Sequence, residues 1–317
     1  MRSLFPPLEA SASYSLTTET AHRVYYEECG NPDGIPAVFL HGGPGSGCKA
    51  DHRQFFDPKR YRVVLVDQRG AGRSSPVADV SNNTTLDLIN DLENIRQQLG
   101  IKQWVLLGGS WGAALALAYA EHCPDQVLGM ILRGTFLARR RDVDWFFSHG
   151  ANRLLPRQWQ TFVDEIGYDG TDEILNLMYA GIFSDDEGRV ERYARAWEAW
   201  SGAVVMYSIN QAAEGAAGPA STAIAKARIE MHYARHGYFI EENELLDKIH
   251  LLPRVPLKII HGARDITCPA ESAWLLHQAV TGSELEVLRT AGHLSSESPM
   301  IDALVRATDD MAGKLNG

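Results

Sequence analysis

Between residues 37 and 134, short apolar runs recur at strand-like spacing, separated by stretches of turn or helical character. "AVFL" (37–40), "YRVVLVD" (61–67), "WVLLGG" (104–109) and "VLGMILRG" (127–134) show no regular polar alternation, which suits strands buried on both faces of a parallel sheet. "TTLDLINDLENIRQQLG" (84–100) has a threonine placed to cap, apolar positions at Leu86, Leu88, Ile89, Leu92 and Ile95, and a closing glycine. It predicts an amphipathic helix with its own start and stop signals.

From about 138 to 244 the strand pattern fades, and aromatic-rich helical stretches such as "DVDWFF" and "ERYARAWEAW" take over. Alternation resumes with "LKIIHG" (257–262), "ESAWLLHQAV" (271–280), "LEVLRT" (285–290) and a last helix near 300–314. The expected class is α/β: a mostly parallel sheet flanked by helices and interrupted by a helical cap. The predicted division is a core from 1–137 and 245–317, with the cap at 138–244. No internal repeat or low-complexity segment breaks this pattern.

Composition narrows the possible partners. The 317 residues are 45% hydrophobic and 22% charged, with 40 acidic against 30 basic side chains and a net charge of -10. No basic run is interleaved with aromatics, so neither nucleic acid nor an anionic membrane is expected to bind. Residues 138–244 hold 17 of the acidic and 11 of the basic side chains, a field that mildly favours cationic ligands. No segment reaches the roughly 18 apolar residues of a membrane span. The opening "MRSLFPPLEASASYSL" lacks the apolar centre of a secretory signal. Cys29, Cys48, Cys123 and Cys268 are widely spaced, which fits free thiols in a reducing, cytoplasmic setting. Oligomeric state leaves no mark in the sequence.

The chemistry centres on Gly108-Gly109-Ser110-Trp111-Gly112, which fits G-x-S-x-G, a strand-to-helix turn that exposes a serine hydroxyl. In a chain with 28 glycines the pattern alone is weak, but an apolar strand precedes it and the helix-forming "AALALAYAEH" follows. A serine needs a base and an orienting acid to become a nucleophile. Asp265, after the strand "LKIIHG", and His293, just before the terminal helix, supply them in the order Ser, Asp, His found in α/β-hydrolases. His41 and His261 also end strands, but His41 precedes the nucleophile and His261 lies on the approach to Asp265. Glu297 and Asp302 lie beyond the histidine and fit the acid role less well.

An acyl transfer also needs donors for the developing oxyanion. "HGGPGSG" (41–47) offers the amide of Gly42 or Gly43, and Trp111 offers the amide directly after the nucleophile. Nucleotide loops fail on spacing: "GGPGSG" is not G-x-G-x-x-G, and no G-x-x-x-x-G-K-[ST] occurs. "DQRGAGRSSP" reads as a buried turn whose Arg69 and Arg73 pair with carboxylates. His232 and His236 have i,i+4 spacing without the glutamate of a zinc helix. The expectation is therefore no metal and no cofactor.

Together with "LHGGPGSG", "DQRGAGRS", "GGSWGAALALAYA", "LRGTFLARRRDVDWFF", "AWEAWSG", "ARIEMHY" and "HGARDITCP", these features give the chain a family resemblance over nearly its whole length. It resembles the proline iminopeptidases (prolyl aminopeptidases), serine peptidases of the α/β-hydrolase fold. The resemblance implies release of an N-terminal proline from small peptides, with cap carboxylates holding the charged imino group. Glu230 in "ARIEMHY" matches one such carboxylate. The family pattern places another directly after the second tryptophan of W-x-x-W; here Ser201 stands there. An aromatic pair often seen as Trp-Tyr-Tyr is Trp145-Phe146-Phe147. Glu198, three residues before Ser201, shares its helix face and is a candidate to reach toward the vacated position, the alternative being a surface residue on an acidic helix. Arg133 and Phe136 match pocket-lining positions, and Cys268 matches a cysteine near the site, implying sensitivity to mercurials. The less polar pocket keeps a second expectation open: an esterase or amidase for a small acyl substrate without a free amine.

Overall fold

A computed structural model describes residues 1–209 and 218–315. The chain opens with two antiparallel strands, β1 (Ala12–Thr17) and β2 (Arg23–Gly30), followed by β3 (Ile35–Leu40) and β4 (Tyr61–Val66). Helix α1 (Thr85–Gln98), β5 (Trp104–Gly109), α2 (Trp111–His122) and β6 (Val127–Arg133) continue the alternation. The eight strands form one sheet in the order β1-β2-β4-β3-β5-β6-β7-β8, with β7 at Leu257–Gly262 and β8 at Glu284–Leu288. Pairing is antiparallel at β1–β2 and β2–β4 and parallel from β4 onward. This is an α/β-hydrolase fold.

Local chemistry explains the elements that position the site. Every residue of β5 is buried, since helices cover both faces of the sheet. In α2, only His122 escapes burial, and alanines let the helix lie close against the strands. Helix α1 starts where Thr84 accepts the Asp87 amide and Asp87 accepts the Thr84 amide. Leu88, Ile89, Leu92 and Ile95 face the core, whereas Leu86, in the first turn, is 54% exposed.

Between β6 and β7 lie α3 (Arg140–Asp144), a π-helical turn at Trp145–His149, α4 (Ala151–Leu154), α5 (Pro156–Ile166), α6 (Ile174–Ile182), α7 (Glu187–Val205), α8 (Ala220–Arg235) and α9 (Glu244–Asp247). The helical segments from Arg140 to Arg235 bury a separate apolar cluster in which Phe147 stacks on Trp197 at 4.8 Å and Phe162 stacks on Trp200 at 6.0 Å. Helices α10 (Ala270–Ala279) and α11 (Ser298–Leu315) close the chain. No helix among the described residues is long and apolar enough to cross a membrane.

The "DQRGAGRSSP" turn is held by ion pairs, as its sequence suggests. The Arg69 guanidinium donates to both oxygens of Asp91 at 2.6 and 2.7 Å. Arg73 donates to Asp67 and Glu27 at 2.8 and 2.6 Å.

Candidate active site

Strand β5 ends at Gly109 and α2 begins at Trp111, so Ser110 must turn the chain by itself. It does so at φ 57, ψ -124, a conformation that costs a non-glycine residue about 1–3 kcal/mol. Packing around the turn explains the flanking glycines. A Cβ on Gly108 would stand 2.1 Å from the Gly112 carbonyl oxygen, and one on Gly112 would stand 2.0 Å from that of Leu40. The hydroxyl so presented borders a cavity of about 340 Å³ between the strand ends and the cap helices.

Asp265 lies in the turn after β7. Its Oδ1 accepts the amides of Thr267 and Cys268, both at 2.9 Å, and its Oδ2 accepts from His293 Nδ1 at 2.7 Å. Burial works to raise the Asp265 carboxyl, but the His293 imidazole and the amide donors outweigh it and hold it below the ordinary carboxylate range. With Nδ1–H committed to Asp265, the Nε2 of His293 is left without a hydrogen-bond partner among the described residues. His293 and Ser110 line the same cavity. Among the described residues no hydrogen bond joins them; the Ser110 Oγ stands 4.0 Å from the Cys268 sulfur. Such contacts commonly tighten only when substrate binds.

The support behind this pair involves residues whose role the sequence did not reveal. Gly134, at φ +53 just after β6, leaves room for it: a Cβ there would lie 3.3 Å from Asp265 Oδ2 and from His293 Cε1 and Nδ1. Glu297, considered above only as a rival acid, accepts the amides of Gly292 and Leu294 on either side of His293. It also accepts the Ser208 hydroxyl at 3.0 Å, from the chain just after α7. Arg133 borders the cavity, yet its guanidinium donates to the His293 carbonyl and packs under Gly109, so its contacts support the loop. The signal for Glu297 was only its position four residues after the histidine.

The rival histidines are occupied elsewhere. His41 Nδ1 donates to the Gly42 carbonyl and its Nε2 accepts the Gln68 amide. His261 Nδ1 accepts the Thr135 amide and its Nε2 donates to the Cys268 carbonyl. Burial pulls both below the ordinary histidine range, keeping them neutral in these fixed tautomers.

Across the elbow runs the loop after β3. Gly42 lies against the elbow serine, with a would-be Cβ 3.3 Å from Ser110 Cβ, and Gly43 takes φ +113. Neither amide donates a hydrogen bond among the described residues, and Trp111, as the first residue of α2, also has a free amide. The Trp111 indole is fixed by Gln68 at 2.8 Å.

Glu230, Ser201 and Phe146, from the helical segments between β6 and β7, and Phe136 and Cys268, from the loops after β6 and β7, border the cavity. The Glu230 carboxylate accepts the Trp197 indole N–H at 2.6 Å and stands 3.7 Å from the Lys226 ammonium. Ser201 is buried and bonds only weakly to the Glu198 carbonyl, at 3.4 Å. Burial pushes the Cys268 thiol well above its ordinary range, and its sulfur stands 4.0 Å from Ser110 Oγ.

Glu198 departs from expectation. It is exposed and paired with Arg195 at 3.0 Å, away from the cavity. The buried stripe of α7 runs through Trp197, Trp200, Ser201 and Val204, and Glu198 sits on its solvent side. Sharing a helix turn with Ser201 does not carry it inward.

A family profile described as the alpha/beta hydrolase fold matches residues 36–298. The chain is 43% identical to a proline iminopeptidase of Xylella fastidiosa strain Temecula1, covering 98% of this chain and 99% of that one. It is 42% identical to the Xanthomonas citri proline iminopeptidase, covering 98% and 100%. With the proline iminopeptidase of Arabidopsis thaliana it shares 40% identity over 98% of this chain and 82% of that one. Among solved structures, an esterase from Rhodococcus sp. ECU1013 superposes with a TM-score of 0.62 at 18% identity, covering 98% and 99%. At that identity the likeness is one of fold.

Proposed function

The chain belongs to the proline iminopeptidase family of α/β-hydrolases, and from that premise we propose that it releases an N-terminal proline from small peptides through an acyl-enzyme. One observation carries this reading. A single cavity brings together the elbow serine, the histidine held by Asp265, and the buried carboxylate of Glu230.

In this reading Ser110 Oγ attacks the scissile carbonyl while His293 Nε2 takes its proton, and Asp265 stabilises the imidazolium. The amide of Trp111, with that of Gly42 or Gly43, receives the oxyanion. Collapse expels the shortened peptide, whose new amino group takes the proton from His293. Water then repeats the sequence on the prolyl ester, releasing proline and freeing Ser110. Glu230 anchors the secondary ammonium, which needs a compensating negative charge when it leaves water. Phe146 and Phe136 pack against the ring. Residues 138–244 act as the cap over a core of 1–137 and 245–317. No cofactor enters any step.

A second reading, hydrolysis of small esters or amides without a free amine, is favoured by Ser201 and Phe146 at the pocket wall. A side-by-side assay of prolyl, alanyl and N-acylprolyl arylamides with short acyl esters separates the two. Much faster release from free-amine substrates supports the peptidase, and preference for blocked or ester substrates overturns it. Loss of hydrolysis in Ser110→Ala is expected in either case; retained hydrolysis would exclude the mechanism.

A further inference from the structure

Among the described residues, two carboxylates face the cavity, and both already have cationic partners. Asp142 accepts two side-chain bonds from Arg139, at 2.9 and 2.8 Å, and accepts the Arg139 amide besides. It is locked. Glu230 is paired by Lys226, one turn earlier on α8, at the looser distance of 3.7 Å. The Lys226 side chain is 44% exposed, against 11% for that of Glu230. Its backbone is fixed against the oxyanion loop: a Cβ on Gly45 would lie 3.1 Å from the Lys226 carbonyl oxygen. Where a second carboxylate would add negative charge, Ser201 adds none.

A substrate ammonium entering this pocket therefore meets no unpaired negative charge. It must displace one of two pairs, and a long, half-exposed pair yields far more readily than a bidentate buried one. We propose that Lys226 is a specificity-determining residue: in the empty pocket its ammonium occupies Glu230 in place of the substrate's, and so weakens the selection for a charged N terminus. On binding, the Lys226 side chain swings outward and its head group returns to water, which its exposure allows. The substrate class shifts accordingly, from strictly free-amine prolyl compounds toward one that also admits acyl groups carrying no charge. This rests on Glu230 as the amine anchor.

The test compares wild type, Lys226→Met, Lys226→Arg, Glu230→Gln and the Lys226→Met/Glu230→Gln double variant in the full-length protein. The probes are prolyl-4-nitroanilide, which is charged, and p-nitrophenyl acetate, which is not. Lys226→Met is expected to lower KM for the prolyl substrate about 3- to 5-fold. It should leave KM for the acetate within about 1.5-fold, and Lys226→Arg should resemble wild type. The prolyl effect should vanish in the Glu230→Gln background. If Glu230→Gln raises the prolyl KM while Lys226→Met changes neither substrate, or changes both equally, the role of Lys226 is overturned and the anchor stands. If Glu230→Gln leaves the prolyl KM unchanged, the anchor falls, and the competition with it.

Discussion

Glu297 grips the chain on both sides of His293: its carboxylate accepts the Gly292 amide at 3.1 and 2.9 Å and the Leu294 amide at 3.1 Å. An imidazole on a loop keeps its angle only if the loop backbone is fixed, and here a charged acceptor fixes it from below. The Ser208 hydroxyl on the same carboxylate ties this clamp to the end of α7. A Cβ on Gly292 would stand 2.2 Å from that hydroxyl, so the joint tolerates only glycine.

Glu297→Gln should therefore injure turnover more than binding. A glutamine can keep its oxygen at the Oε1 position, which accepts Gly292, Leu294 and Ser208, but it then turns an NH2 donor toward the Gly292 amide that Oε2 accepts and loses the charge that strengthens these bonds. We expect kcat to fall about 10- to 100-fold, as misplacement of a catalytic group does, with KM within about threefold. Steady-state kinetics on a prolyl arylamide, with a melting curve to verify folding, reads the split. Wild-type kcat would show that the loop keeps its shape without the clamp.

Gly134→Ala probes the other side of the same imidazole. The new methyl would stand 3.3 Å from the carboxylate and the ring, at φ +53, where alanine is strained. The cheapest relief is a small displacement of the Asp265–His293 pair. A loss in kcat of about 10²-fold is expected, and unchanged kcat would mean that the pair has slack to give.

Glu121 on α2 gives a pH-dependent prediction remote from catalysis. It is buried, and both of its carboxylate oxygens lack a hydrogen-bond partner among the described residues. Burial, with Glu244 adding to it, pushes its carboxyl up to about 8. The native state thus holds a proton that the unfolded chain releases above about pH 4.3, so stability falls as pH rises from there to about 8. Glu121→Gln imitates the protonated form. Denaturant titration should find the variant on the order of 1–3 kcal/mol more stable than wild type at pH 8, and nearly equal to it at pH 4. A gap independent of pH would mean that Glu121 is ionised in the native protein.

What could be read from the chain follows the range of each physical cause. β5 and α1 are legible because their reasons are local: an unbroken apolar run in one, a capping threonine and an apolar stripe in the other. β1 is not, since "ASYSLT" leaves most of its residues exposed at the sheet edge and Leu16 alone fully buried. The order of Ser110, Asp265 and His293 points to one site because each follows a strand of the same sheet. Gly134 and Glu297 gain their roles only when the His293 loop folds back on β6 and on itself, which no spacing records. Glu198 shows the opposite error: a helical spacing gives proximity to Ser201 but not which side of the buried stripe meets the cavity.

Ser201 is where the pocket's charge can be rewritten. Its hydroxyl holds one weak bond and the site is buried, so Ser201→Glu would place a second carboxylate on the wall of a cavity where the loosely paired cation Lys226 already faces Glu230. Desolvation should therefore lower the melting temperature of the free enzyme. A secondary ammonium supplies the missing partner, so the same change should lower KM for prolyl-4-nitroanilide, by about 10-fold if one partly buried pair forms. Saturating prolinamide should restore much of the lost thermal stability, because a ligand that binds only the folded state stabilises it. The two measurements check each other. A lower melting temperature with no gain in KM would mean that the ammonium does not approach Ser201, and Glu230 would then have to hold it alone.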